Sequence, residues 1–128
     1  MIMTIHQEVE FQASPNTIYD VLVNGGKFSA FSGAPSQITA EPGGVVSCFG
    51  GMISGRFIEL LPDKRIVQAW RVGNWPDGVY SIVKIELEPQ GSGTKLTLDH
   101  FGFPEEHREH LDAGWQKMYW EPLKNYLS

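Results

Sequence analysis

The stretch PEEHREHLDAGWQKMYWEPLKNYL, residues 104–127, decides the fold because its apolar residues recur at helical spacing. Glu105 and Glu106 stand in the first turn, where carboxylates stabilise the positive end of a helix dipole. At 1.5 Å per residue this helix would be roughly 36 Å long, enough to cross a small domain. Pro122 should bend the last turns, because proline lacks a backbone donor. The predicted apolar stripe comprises Leu111, Trp115, Met118, Tyr119, Leu123 and Tyr126.

The residues before this helix predict an antiparallel sheet. A half-buried strand at residues 5–12 is followed by two short helices, and turn signals then recur from about residue 36 to residue 101. The run VYSIVKIELE, residues 79–88, alternates between two faces as a strand does. Because the apolar face of the sheet and the apolar stripe of the helix must be buried against each other, we expect an α+β fold. Its seven-stranded antiparallel sheet curves round the C-terminal helix, with two short helices after the first strand.

Composition and charge narrow the classes of function. The 128 residues fit one domain, residues 1–128, and the formal charge of -5 argues against nucleic acid as a partner. No apolar run approaches the roughly 18 residues of a membrane span, so a cytoplasmic protein is expected. Cys48 is the only cysteine, which excludes an internal disulfide and a thiolate zinc cage. No cofactor or metal is expected.

Two segments carry a resemblance to a known family. GGMISGRFIELLPDKRIVQAWRVGNWPDGVYS at 50–81 and LDHFGFPEEHREHLDAGWQKMYWEPLKNYL at 98–127 resemble homologues of the ATPase activator of the 90-kDa heat-shock chaperone. The most specific pieces include Trp70-Arg71, Trp75-Pro76 and Gly114-Trp115. The resemblance implies a helix-grip fold like that of START lipid-transfer domains and the birch-pollen allergen, with an internal cavity. It also implies a possible chaperone partner, because in eukaryotic activators this unit is the carboxy-terminal of two domains.

A cavity between a curved sheet and a helix predicts a non-enzymatic module that binds a hydrophobic or amphipathic small molecule. Arg71 and Glu59 would pair across neighbouring strands to hold a polar head group, unless both point outward. His100 would orient the ligand or act as a base, unless it is a hydrogen-bonded structural histidine. The candidate ligand-binding residues are Phe49, Phe57, Glu59, Trp70, Arg71, Val83, His100, Trp115, Met118 and Tyr119.

The turn at Trp75, Pro76 and Asp77 predicts an alternative function, a surface that binds a partner protein such as the chaperone. The competing interpretation makes Trp75 a lid folded over the end of the sheet. Trp120 lies off the apolar stripe, where it would show an edge to solvent or pack on a neighbouring loop or another subunit. The oligomeric state is left open.

An enzyme is the third hypothesis, a cyclase or hydrolase using His100 with Asp99 or Glu59. Asp99 and His100 are sequential on a strand, so their side chains point to opposite faces, which weighs against it. His107 and His110 would share one side of a helix with Glu106, but their spacing is a weak metal signal.

Overall fold

A computed structural model describes residues 4–128 and confirms the predicted α+β helix-grip fold. All seven strands form one antiparallel sheet in the order β1-β7-β6-β5-β4-β3-β2. Short turns make most consecutive strands neighbours, and β1 closes the edge beside β7. The strands are β1 (Thr4–Phe11), β2 (Gln37–Ile38), β3 (Val45–Cys48), β4 (Ile53–Leu61), β5 (Arg65–Val72), β6 (Ser81–Gln90) and β7 (Gly93–Phe101).

Two short helices, α1 (Pro15–Val23) and α2 (Gly25–Ser32), follow β1 as predicted. Ser14 caps α1 because its hydroxyl accepts a hydrogen bond from the amide of Thr17 at 3.3 Å. Asn24 caps α2 in the same way, accepting from the amide of a lysine in its first turn at 2.9 Å. These caps fix where both helices start.

The C-terminal helix has three parts after a 3₁₀ turn at Glu105–His107: α3 (Arg108–Gly114), a π-helical segment (Trp115–Trp120) and α4 (Glu121–Leu127). A π-helix bonds residue i to residue i+5, so side chains five apart lie on the same face. Trp115 and Trp120 therefore stack, with ring centroids 5.5 Å apart and planes at 19°.

The π-helical segment overturns two expectations about the stripe. Trp120 is only 1% exposed, so the predicted solvent-facing edge is wrong. Met118 and Tyr126 are 47% and 42% exposed, although regular spacing places them in the stripe. For Met118 the reason is the change of pitch, because side chains within a wider turn lie at different angles from those of an α-helix. Tyr126 lies in the last turn of α4, beyond the fully buried Leu123.

Gln7 explains why a polar side chain lies on the apolar face of β1. The Trp120 indole N–H donates to the Gln7 side-chain carbonyl at 2.7 Å. The Gln7 amide in turn donates to the backbone carbonyl and the carboxylate of Asp112, at 2.9 and 2.7 Å. These hydrogen bonds join the edge strand β1 to the C-terminal helix, and they engage both the carbonyl and the amino group of the Gln7 side chain.

Within residues 4–128, no helix combines the length and the hydropathy that crossing a membrane requires. The buried apolar residues form one cluster between the concave face of the sheet and the helices.

Candidate functional site

A pocket of about 150 Å³ lies where the end of the sheet meets the C-terminal helix. Its walls come from the Phe49–Gly51 turn, the ends of β4 and β5, the loop after β5 and one side of the C-terminal helix. A dry cavity of about this volume holds a benzene ring, whereas pockets for drug-sized ligands run from about 300 Å³. The pocket therefore has room for one ring.

A second space lies deeper between sheet and helix, but it measures only about 20 Å³. That volume is enough for about one water molecule. Its lining includes Cys48 and Gln68, and Trp115 and Tyr119 form a wall shared with the larger pocket. Side chains thus fill most of the room between sheet and helix behind the mouth.

Five of the ten candidate ligand-binding residues line the larger pocket, and their role as ligand contacts stays a prediction. Two others, Phe57 and Val83, are 2% and 0% exposed and belong to the packed core away from both spaces. The remaining three are Glu59, Arg71 and His100, which also lie outside both linings. The five that line the pocket are Phe49, Trp70, Trp115, Met118 and Tyr119.

His100 is buried on β7 and its two ring nitrogens are both engaged. Trp115 donates its indole N–H to Nδ1 at 3.0 Å, so Nδ1 is the acceptor and the proton lies on Nε2. Nε2 then donates to the hydroxyl of Ser81 at 2.7 Å, and that hydroxyl donates to the Trp70 carbonyl at 3.0 Å. Desolvation lowers the pKa of His100 to about 3, which keeps the ring neutral. Of the two interpretations left open for His100, the structure supports the hydrogen-bonded structural histidine, because neither ring nitrogen is left for a ligand or a proton transfer.

The structure also weighs against the enzyme hypothesis through the acids that it pairs with His100, Asp99 and Glu59. Asp99 lies on the outer face and accepts a hydrogen bond from His6 at 2.7 Å. Cys48 is buried, and desolvation raises the pKa of its thiol to about 12, which removes nucleophilic character. Among the described residues, no three histidine, cysteine, aspartate or glutamate side chains come together as a metal site would require. His107 and His110 therefore belong to no such group.

Glu59 and Arg71 do not pair, contrary to the prediction. Arg71 lies opposite Ser54, five residues along β4 from Glu59, so the two side chains are far apart on the sheet. A β-bulge between Phe57 and Glu59 shifts the register of β4 and β5 and puts Glu59 opposite Val67, on the outer face. Glu59 faces solvent and forms an ion pair with Arg65 at 3.1 Å. The alternative interpretation had both side chains pointing outward. For Glu59, the bulge is the physical cause of the outward orientation.

Arg71 holds the loop after β5 through three backbone carbonyls. Its guanidinium donates to the carbonyl of Trp75 at 2.9 Å, of Pro76 at 3.0 Å and of Val79 at 3.3 Å. The charge also lies 5.6 Å from the centre of the Tyr80 ring. Arg71 is therefore a clamp on residues 75–79, and it lies outside both pocket linings.

Replacing Arg71 with methionine is expected to lower the free energy of unfolding by about 1 to 2 kcal/mol, because three carbonyls lose a charged donor while the aliphatic stem stays. Arg71→Lys should lose a similar amount, since an ammonium group is too compact to span three carbonyls. Urea unfolding measures the change, and amide hydrogen exchange should accelerate at Trp75 and Val79. Unchanged exchange in both variants would show that the loop does not depend on the clamp.

Trp75 is 4% exposed, so the predicted exposure of its ring is wrong. The Arg71 clamp folds the loop inward, and the indole packs edge-on against Trp70 at 5.8 Å and parallel to His107 at 6.4 Å. Pro76 and Asp77 remain exposed beside it. The lid interpretation fits Trp75, and the partner-binding role of this turn stays a prediction.

The sequence interpretation missed several pocket residues. Met52 is 61% exposed at the rim, and His107 and His110 border the mouth, where they were weighed only as metal ligands. Gly114 was noted as part of the family resemblance, although a glycine inside an amphipathic helix is itself a signal of missing side-chain volume. The other missed lining residues are Ile53, Val72, Asn74 and Leu111.

Comparisons with known proteins agree on one family. The family model described as "Activator of Hsp90 ATPase homolog 1-like protein" matches residues 12–128. The human protein "Activator of 90 kDa heat shock protein ATPase homolog 1" is 32% identical over 89% of this chain and 34% of its own length. A Dictyostelium discoideum protein named as an activator homolog is 36% identical over 98% of this chain and 33% of its own. The chain spans about a third of the length of the curated relatives it matches.

Solved structures share the fold. An HSP90 activator from Plasmodium falciparum superposes with a TM-score of 0.91 at 24% identity, over 98% of this chain and 96% of that one. The Aha1 dimer from Colwellia psychrerythraea gives a TM-score of 0.84 at 20% identity, over 98% and 96% of the two chains. At these identities the likeness shows the architecture alone.

Proposed function

Because this chain belongs to the family of Activator of Hsp90 ATPase homolog 1-like proteins, we propose that it binds a 90-kDa heat-shock protein and regulates its ATPase. The observation that carries the proposal is the match of nearly the whole chain to about a third of proteins named as activators of that ATPase. The proposal places the chain in the cytoplasm with the chaperone, in agreement with the sequence-based expectation.

The end of the sheet offers a contact surface for such a partner. Met52 and Met118 are 61% and 47% exposed at the rim of the pocket, and Pro76 and Asp77 are exposed next to the buried Trp75. Thioether side chains adapt their shape to a partner and are enriched in adaptable binding surfaces. The Arg71 clamp holds the neighbouring loop in place, so little ordering is needed on binding.

The test is the ATPase rate of the host's 90-kDa heat-shock protein with increasing amounts of the chain, together with a direct binding measurement. We expect a saturable change in rate, and Met118→Glu should weaken binding at least about fivefold. Ile58→Glu is the matched control, because Ile58 is also exposed, at 51%, but lies outside the pocket lining. Absence of binding at about 100 μM, well above typical affinities for specific partners, would reject the proposal. Binding with an unchanged ATPase rate would reject the regulatory part alone.

A second candidate function is the binding of a small apolar molecule, which the pocket of about 150 Å³ favours. Its size restricts the ligand to something much smaller than the lipids expected from a helix-grip cavity. Titration with fatty acids, sterols and small aromatic molecules, followed by tryptophan fluorescence, tests it. No response to any of them would contradict this candidate and leave the chaperone proposal standing.

A further inference from the structure

Gly114 leaves room in the pocket wall that the fold does not require. Its backbone is ordinary α-helix, with φ -62° and ψ -39°, so no strained conformation calls for glycine. A β-carbon built at Gly114 meets no atom within 4 Å, so no close packing calls for it either. Glycine destabilises a helix interior relative to alanine. What the missing side chain provides is space, because Gly114 lines the pocket.

The walls round that space are aromatic. Trp70 and Trp75 meet at 64° with centroids 5.8 Å apart, which makes a corner of two ring surfaces. Phe49 and Tyr119 meet at 71° and 5.3 Å on another side. Rings prefer edge-on and offset contacts with other rings, so such walls favour an aromatic guest over an aliphatic one of equal size.

The lining contains no lysine, arginine, aspartate or glutamate. Its imidazoles, His107 and His110, lie at the mouth rather than among the aromatic walls. A charged guest would lose its hydration without gaining a permanently charged partner, so the pocket selects an uncharged molecule. Of the indole N–H groups in the lining, those of Trp70 and Trp115 donate to Tyr119 and His100, whereas that of Trp75 has no partner among the described residues. The side chain of Asn74 borders the same space.

We propose that this pocket binds one small uncharged aromatic molecule, a single ring bearing a hydroxyl or carbonyl oxygen that accepts from Trp75 or Asn74. The inference rests on the second candidate function and narrows it to one class of ligand. It assigns the site to the mouth between sheet and helix, bounded by Gly114, and not to the filled interior behind.

The test is titration of the isotope-labelled chain with benzyl alcohol, followed by the NMR signals of the indole N–H groups. We expect the largest shift at Trp75, because its N–H is the one without an internal partner. Cyclohexylmethanol, of similar size but not aromatic, should bind about 2- to 10-fold more weakly. Benzoate at pH 8, where it is charged, should bind at least about tenfold more weakly.

Gly114→Leu fills the space and should abolish binding of benzyl alcohol, while Gly114→Ala should weaken it. Ala113→Leu is the matched control: it adds a leucine to the same helix at an exposed position outside the lining and should bind as the parent does. The dispersion of the indole signals verifies that each variant is folded. Binding unaffected by Gly114→Leu would place the site elsewhere and overturn the inference.

The outcomes separate the two proposals. If cyclohexylmethanol or benzoate binds as tightly as benzyl alcohol, the class of ligand is wrong while a small-molecule pocket remains. If only fatty acids or sterols bind, the class is wrong in the same way. If no member of the panel binds up to its solubility limit, both the inference and the second candidate function are overturned.

Discussion

Gly55→Ala is expected to lower the free energy of unfolding by at least about 3 kcal/mol, a large share of the total stability of a marginally stable domain. Gly55 lies in β4 opposite Trp70 of β5. A β-carbon there would overlap the backbone carbonyl oxygen of Ala69 on the neighbouring strand. Because the clash is with backbone, no change of rotamer relieves it, and the two strands must separate.

Gly114→Ala is the matched control for this substitution. It makes the same chemical change, but its β-carbon meets open space in a regular helix, so it should raise the free energy of unfolding by up to about 1 kcal/mol. Urea unfolding of both variants gives the comparison. A Gly55→Ala protein within about 1 kcal/mol of the parent would show that β4 and β5 can move apart cheaply, contrary to the close approach described.

The second large effect is acid destabilisation through His100. The unfolded chain takes up a proton near pH 6.5, whereas burial lowers the pKa of His100 in the folded state to about 3. As the pH falls between these values, the unfolded state binds more protons than the folded state, so stability falls. The stabilisation that comes from the neutral, buried ring of His100 is fully present above pH 6.5. By pH 4.5 the free energy of unfolding has fallen by about 2 to 3 kcal/mol on this account.

His100→Gln should therefore be less stable than the parent at pH 7.5, by about 1 to 3 kcal/mol, because Trp115 and Ser81 lose well-placed partners. Its free energy of unfolding should also fall less between pH 7.5 and pH 4.5 than that of the parent. Denaturant unfolding at the two pH values measures both effects.

His6→Gln is a control of opposite sign. Hydrogen bonds to Asp99 and Glu8 raise the pKa of the exposed His6, so this histidine favours the folded state below pH 6.5 and loses that effect as the pH rises. Removing His6 should therefore not reduce the fall in the free energy of unfolding between pH 7.5 and pH 4.5. Equal slopes for the parent and His100→Gln would show that His100 is hydrated in the folded protein.

The sequence predicted the architecture because each local signal agreed with the global one. Ser14 caps the helix that its side chain favours, and most of the alternating run at 79–88 lies in β6, Ser81–Gln90, with its apolar side inward. The family resemblance carried the expectation of a helix grip, and the strand order follows from short turns. These signals act over a few residues, which is the range that spacing and propensity describe.

The site depended on events that spacing cannot describe. The bulge at Phe57 and Glu59 turns Glu59 outward, and the clamp of Arg71 draws Trp75 inward from a turn that looked exposed. His100 faces inward as its strand face predicts, but its engagement on both nitrogens depends on Trp115, fifteen residues later. Register shifts and side-chain networks join distant parts of the chain, so a pattern within one segment does not reveal them.

The π-helical segment at Trp115–Trp120 also sets the rotational phase of the chain end. A π turn takes about one more residue than an α turn for nearly the same rotation, so the segment absorbs an extra residue without turning the side chains that follow. Deleting one residue from it would restore ordinary α-helical pitch and leave Leu123 facing the core, whereas deleting one residue from the start of α4 would turn the later side chains by about 100° about the axis. A family relative that lacks the widened turn therefore seats its last helix in the same way with one residue fewer, and alignments through this region need a one-residue gap.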